Sequence, residues 1–264
     1  MTLREDIHEG SRGSEDAVPP AHSVEVRERP IHTTPMAAPR LNSLRTTNVP
    51  RLMKRGAATS RGSGTLRSTR IGARKPDFGT YHHSTPKRSE RTRAVVTQGL
   101  LEAFDVLPFS RDDEIGILDL GCGLGFLSCV FAKFYRRARV TGIDTFEHAS
   151  LKGSSLEKAN ENARILGLSD RVHFERGDIL ASDYGHGGFD LFVSNLVFHN
   201  LGSRRFAAYD RLLSWMSPNS HALLSDSFRD KGDMKYLSSI FRIEKEIRPK
   251  INWAPYKILA LSKA

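Results

Sequence analysis

The chain is 264 residues long, room for one domain of roughly 150–200 residues plus additional sequence. Its hydrophobic content of 39% is low for a compact α/β enzyme, so part of the chain stays outside any core. The formal net charge is +10, and the only two cysteines, Cys122 and Cys129, exclude a disulfide-stapled scaffold or a zinc-type Cys/His framework; the expected compartment is reducing, the cytoplasm.

From Met1 to about Pro76 the chain is rich in Arg, Ser, Thr, Pro and Gly and shows no sustained hydrophobic period, the pattern of a disordered extension. Residues 1–35 mix charges of both signs, whereas Arg40 to Lys75 carries ten basic residues and no acidic one. Three readings stay open: a solvated extension, a tether to nucleic acid or another polyanion, and organelle import for a chain translated from Met53. The acidic residues near Met1 speak against import of the chain as given.

Order is expected from about residue 77. Tyr81-His82-His83 reads as a surface loop, with a lid over a bound ligand as the alternative. Thr85-Pro86 then opens a helix through Phe104, with Val96, Leu100, Leu101 and Phe104 on one stripe. Lys87, Arg88, Arg91 and Arg93 offer charge to an acidic substrate or are simply solvated. Next come an apolar strand, Gly116 to Leu120, a turn with glycines at every second position (Gly121, Gly123, Gly125), and an apolar helix from Phe126 to Tyr135. Asp119, three glycines and Lys133 make this stretch a buried strand plus helix and not a membrane span, so no membrane partner is expected. Glycine removes the Cβ atoms that would keep a ligand off the backbone and permits unusual dihedrals. Phe126 stands where a dinucleotide fingerprint would place its third glycine, and Asp119 suits an amino group or a positive sulfur better than a pyrophosphate.

This combination resembles motif I of the Rossmann-like (class I) S-adenosylmethionine-dependent methyltransferases. The resemblance implies an α/β fold: a doubly wound, seven-stranded, mostly parallel sheet with an antiparallel last strand, in a domain spanning residues 77–264. It implies S-adenosylmethionine as cofactor, cradled by Asp119, Gly121, Gly123 and Gly125.

Ala138 to Ile143 reads as the second strand and ends in Asp144, where a carboxylate can accept from both hydroxyls of a ribose. Thr145 and Phe146 follow, Phe146 either covering an adenine or packing in the core. Ser154-Ser155-Leu156-Glu157 has the form of a capping box and starts a helix that ends at Gly167. Val172 to Glu175 is the third strand. By the resemblance, Asp178 after it bonds the adenine amino group and the Ile179 amide meets a ring nitrogen.

Phe189 to Asn195 reads as the fourth strand and leads into Leu196-Val197-Phe198-His199, the family's motif IV region. It lacks the Asn/Asp-Pro-Pro-Tyr/Phe of amino-methylating enzymes and looks more like the His-containing strand ends of small-molecule methyltransferases. Ser194 and Asn195 are candidates for orienting donor or acceptor, with Asn195 counted among both cofactor-binding and catalytic residues. His199 is a candidate general base, a structural histidine being the alternative. A helix (Phe206 to Met216), a fifth strand (His221 to Ser225) and a closing strand pair (Ile240 to Ile247, Tyr256 to Leu261) complete the pattern.

Methyl transfer from a sulfonium is an in-line displacement, so the protein mainly has to hold acceptor and methyl close, aligned and dry. No residue spacing reads as a metal site. The first expectation is therefore methyl transfer to an unidentified, small-molecule acceptor. The alternatives are an RNA or protein methyltransferase tethered by the basic extension, and a noncatalytic cofactor-binding or assembly module. A nicotinamide-dependent oxidoreductase is disfavoured by Asp119 and the missing glycine. Acceptor atom and oligomeric state have no signature in the chain.

Overall fold

The computed structural model describes residues 74–148, 150–185, 188–229, 231–251 and 255–264. The extension expected over residues 1–76 thus lies, up to residue 73, outside the described residues. Seven strands make one sheet: β1 (Gly116–Leu120), β2 (Arg139–Asp144), β3 (Val172–Arg176), β4 (Leu191–Asn195), β5 (His221–Ser227), β6 (Phe241–Ile247) and β7 (Tyr256–Lys263). Five helices cover it: α1 (Pro86–Phe104), α2 (Phe126–Phe134), α3 (Leu156–Ile165), α4 (Arg205–Trp215) and α5 (Lys231–Ile240), with a 3-10 segment at Phe198–Arg204.

The sheet order is β3-β2-β1-β4-β5-β7-β6; β7 runs antiparallel to both its neighbours and the other strands run parallel. The chain winds outward from β1 to β3, then returns to the other side of β1 to lay down β4. The winding reverses between β1 and β4, and the crevice beside the carboxyl ends at such a switch point is where open α/β sheets bind ligands.

Both faces of the sheet are covered, so the strands read as nearly continuous apolar runs that alternate between two cores. Ile117, Leu191, Val193, Leu223, Ile258 and Ala260 face the α1–α3 layer, with Leu100, Phe131 and Tyr135. Leu118, Leu120, Phe192, Leu224 and Leu259 face the α4–α5 layer, with Tyr209, Leu212 and Trp215. Helix α1 comes close enough to β7 that a Cβ on Gly99 would lie 2.7 Å from Ile258 Cδ1.

Several expectations shift by a residue or a role. Leu101 is 39% exposed and lies off the buried stripe of α1, because adjacent residues on a helix point about 100° apart. Helix α3 is capped by Ser155, whose hydroxyl accepts from Lys158 N, so the expected Ser154–Glu157 box is displaced by one residue. Asp190 precedes β4 and ties it to β1 by accepting from Gly116 N at 2.8 Å. The sequence reading missed α5 and the 3-10 segment and began β4 two residues early. Among the described residues, no helix is long and apolar enough to cross a membrane.

Candidate functional site

The expected site residues gather at the carboxyl edge of the sheet, in two groups either side of the β1/β4 crevice. The first is the glycine turn and its neighbours. Gly121, Gly123 and Gly125 all have left-handed backbone (φ +73°, +53° and +78°), a region that costs a side-chain-bearing residue about 1–2 kcal/mol. The turn is pinned to β2, since Gly121 N and Cys122 N both donate to Ile143 O at 2.8 and 2.9 Å. The glycines also serve packing: an added Cβ would lie 2.4 Å from Val197 Cγ2 at Gly121, 2.8 Å from Leu151 Cδ2 at Gly123 and 2.4 Å from Phe174 Cζ at Gly125.

Asp119 is buried below this turn, and its Oδ2 accepts from Ser128 N (2.9 Å) and Ser128 Oγ (2.5 Å). That bond holds the first turn of α2 to the end of β1. Burial drives the carboxyl pKa up to about 7, against the Ser128 hydrogen bonds that pull it down. Asp144 stands half-buried at the tip of β2. Its Oδ2 accepts from Gly123 N at 2.9 Å and its Oδ1 from Phe146 N at 2.6 Å. Each oxygen keeps lone-pair capacity.

Thr145 turns its carbonyl to Arg176 Nη1 (3.0 Å). Phe146 is 9% exposed, belongs to the α1–α3 core and has the Arg176 guanidinium 5.7 Å from its ring centroid; packing is its main visible role. Asp178 Oδ1 accepts from Leu180 N at 2.8 Å in a turn at the end of β3. The Ile179 side chain is buried on the α4–α5 side. Cys122 and Cys129 are free and buried; burial raises both thiols, Cys129 to about 12.

The second group lies across the crevice, at the ends of β4, β5 and β7. His199 follows β4 and its Nδ1 sits 2.5 Å from Asp226 Oδ1, while its backbone N donates to Asp226 Oδ2. Asp226 is 3% exposed, and a carboxylate oxygen accepts hydrogen bonds, so the pairing places the imidazole proton on Nδ1 and leaves Nε2 as the basic nitrogen. The Asn195 amide lies between two phenols: Tyr256 Oη donates to Oδ1 at 2.7 Å, and Nδ2 faces Tyr81 Oη at 3.5 Å. Burial raises the pKa of both phenols, with Arg93 opposing it at Tyr81. Leu196, between Asn195 and the histidine turn, takes a left-handed backbone (φ +59°), strain held in place by its N–H to Ser225 O. Ser194 points away, donating to Leu120 O at 2.9 Å and joining β4 to β1.

In the Tyr81 segment His82 and His83 are exposed, as a surface loop implies, but Tyr81 itself reaches the site. Tyr81 bridges Leu151, His82 N donates to Ser150 O, and Phe78 meets Phe126 edge-on with centroids 5.6 Å apart. Buried Asn162 donates to both Asp77 O and Leu124 O and so fastens this strap to the glycine turn. Arg93, read as either substrate-facing or solvated, donates to Gly79 O at 3.0 Å.

Asp226, Tyr256 and Asn162 were not singled out as site residues by sequence reasoning, whereas Tyr81 belonged to the segment read as a surface loop or a lid. Asp226 carried a usable signal, a carboxylate at a strand tip like Asp144. The others depend on long-range packing.

A family model described as "Methyltransferase domain" matches residues 111–248, just over half of the chain. A tRNA1(Val) (adenine(37)-N6)-methyltransferase of Vibrio vulnificus is 32% identical over 33% of this chain and 34% of its own length. A release factor glutamine methyltransferase of Chlorobaculum tepidum is 35% identical over 38% of this chain and 33% of its own length. The matched part thus spans about a third of these two relatives. Among solved structures, a SAM dependent methyltransferase from Aquifex aeolicus superposes with a TM-score of 0.51 at 17% identity, over 66% of this chain and 93% of that one. A phosphoethanolamine N-methyltransferase of Haemonchus contortus gives 0.52 at 15% identity, over 67% and 44%. At such identities the structures speak for the fold alone. The sheet order, the glycine turn and the family match agree, and the chain belongs to the Rossmann-like, class I S-adenosylmethionine-dependent methyltransferases.

Proposed function

We propose that residues 77–264 form a catalytic domain that transfers a methyl group from S-adenosylmethionine to a small molecule. The observation that carries this reading is what stands at the strand ends: Asp144 after β2 accepting from the glycine turn, and His199 after β4 paired with Asp226 of β5. The cradle suits the cofactor on two counts. Asp144 keeps acceptor capacity at the tip of β2 for ribose hydroxyls, and the Ile179 N–H makes no hydrogen bond within the described residues, leaving it for a ring nitrogen.

When bound, S-adenosylmethionine supplies an electrophilic methyl on a positive sulfur. Gly121, Gly123, Gly125 and Thr145 shape the wall at the donor, and Asp178 and Ile179 read the adenine edge. Asp119 acts one step back, holding α2 against the turn through Ser128. His199 takes the acceptor's proton at Nε2. Asp226 fixes the ring's tautomer and offsets the charge that the imidazolium acquires. Tyr81 and its strap exclude water from the crevice.

Calorimetric titration of the full chain with S-adenosylmethionine, with NAD as control and Asp144→Ala alongside, tests the reading. Micromolar affinity that Asp144→Ala weakens supports it. A folded protein that ignores the sulfonium ligand overturns it and favours the noncatalytic module.

A second reading, an RNA acceptor, is favoured by the ten basic residues between Arg40 and Lys75 and by the relatives that are tRNA methyltransferases. Salt-sensitive RNA binding that disappears on removing residues 1–76 would select it.

A further inference from the structure

The Asn195 amide has a polarity, and that polarity bears on the atom that receives the methyl. Tyr256 Oη donates to Oδ1 at 2.7 Å, so the carbonyl side of the amide is engaged. The tyrosine is 3% exposed at the start of β7 and is registered opposite Ser227 of β5. The amino side is barely engaged: Nδ2 has two hydrogens, and its partner, Tyr81 Oη, stands 3.5 Å away, beyond the usual N–H···O range. The site therefore offers a hydrogen-bond donor at the end of β4. One strand over sits the base. Asn195 is registered opposite Ser225, and the next residue, Asp226, holds His199.

A donor next to a base discriminates between acceptor atoms. A neutral amine has one lone pair, and that pair must attack the methyl; an amide N–H aimed at it would occupy the reacting electrons. Amino groups are held by acceptors, and here one of the two lone pairs of the amide carbonyl already accepts from Tyr256. A hydroxyl oxygen that has lost its proton has three lone pairs, one to attack and others to receive the Asn195 N–H. We infer that the acceptor atom is a hydroxyl oxygen of phenol or enol type, deprotonated by His199 and held as an oxyanion by the Asn195 amide; this rests on the methyltransferase reading above. A phenol, with a pKa near 10, lies within a few units of an imidazole, whereas an aliphatic alcohol is far less acidic.

The step balances. His199 Nε2 receives the hydroxyl proton. The oxygen lone pair forms the new carbon–oxygen bond as the carbon–sulfur bond breaks, its electron pair leaving on sulfur as a neutral thioether, and the imidazolium returns the proton to solvent.

The test compares para-nitrophenol with para-nitroaniline, a pair of similar shape differing in the acceptor atom, binding to the full chain saturated with S-adenosylhomocysteine. The visible absorbance of the phenol reports whether it is bound ionised. The expected result is at least about tenfold tighter binding of the phenol, about 1.4 kcal/mol, with the phenolate band present in the complex. Asn195→Asp, of the same shape but without the donor, should abolish the preference. Tyr256→Phe should narrow it, since the freed carbonyl can turn toward an amine. Equal binding of the two probes, a preference for the aniline, or binding of neither overturns the inference. Loss of S-adenosylhomocysteine binding by the parent protein would instead bring down the methyltransferase reading along with it.

Discussion

The two sides of the crevice are built in different ways. On the donor side, carboxylates hold backbone: Asp144 takes the N–H groups of Gly123 and Phe146, Asp178 that of Leu180, and Asp119 that of Ser128. On the side proposed for the acceptor, side chains also hold side chains: His199 with Asp226, which takes the His199 backbone N–H as well, and Asn195 with Tyr256 and Tyr81. A wall of fixed backbone suits a ligand that is always the same. A wall of mutually oriented side chains can be rebuilt residue by residue, which suits a ligand that differs between relatives. The contrast predicts that substitutions on the two sides fail separately, one in affinity for the donor and the other in turnover.

The largest effect is expected from Asp226→Asn. With the carboxylate gone, His199 loses the partner that fixes its tautomer, and kcat should fall on the order of 10²–10⁴-fold. Calorimetry should show affinity for S-adenosylmethionine unchanged; a parallel loss would mean that the two sides are one unit.

Next is the pH dependence of stability, which originates on the donor side. The folded state raises the Asp119 pKa from 3.8 to about 7, so between those values the native protein binds more protons than the unfolded chain. Stability from this group is therefore fully present below about pH 4 and is lost as pH rises toward about 7, a cost on the order of 4 kcal/mol. Urea midpoints of Asp119→Asn measured across that window should drift less than those of the parent. Equal drift would remove Asp119 as the source.

Gly121→Ala probes the seam between the sides, because its Cβ would meet Val197 from the strand-four end. The left-handed backbone costs about 1–2 kcal/mol and the overlap about 1–3 kcal/mol, read as a drop in unfolding free energy. A neutral result would show that Val197 yields freely and that the seam is loose. The smallest effect is Asp144→Ala: affinity for S-adenosylmethionine about tenfold weaker, or about 1.4 kcal/mol, with kcat at saturating donor held.

The same contrast explains what was legible in the sequence. Donor-side hydrogen bonds span 2, 9 and 21 residues, short enough to leave a local motif such as Asp119-x-Gly121 or a strand ending in Asp144. Acceptor-side bonds span 27, 61 and 114 residues and leave none. His199 and Asn195 stand out because they follow a strand in a family position; Tyr256, the partner of Asn195, does not, because nothing near it in the chain names it. The sheet was legible for the same reason as the donor side: each strand is an apolar run closed by a turn residue. Helix α5 was missed although Met234, Leu237 and Ile240 recur at helical spacing, because it is short, only Leu237 of the three is fully buried, and β6 follows it without a break.

The place of β7 has a consequence for assembly. It follows β6 in the chain yet lies inside it in the sheet, so β5 keeps a bare edge until β7 slides in beside it. An open strand edge is a template for pairing with another molecule, and here that interval is built into the order of the strands. Tyr256 arrives with β7 and only then reaches Asn195. The acceptor wall therefore depends on the last strand of the chain, whereas the donor wall draws only on strands that precede it.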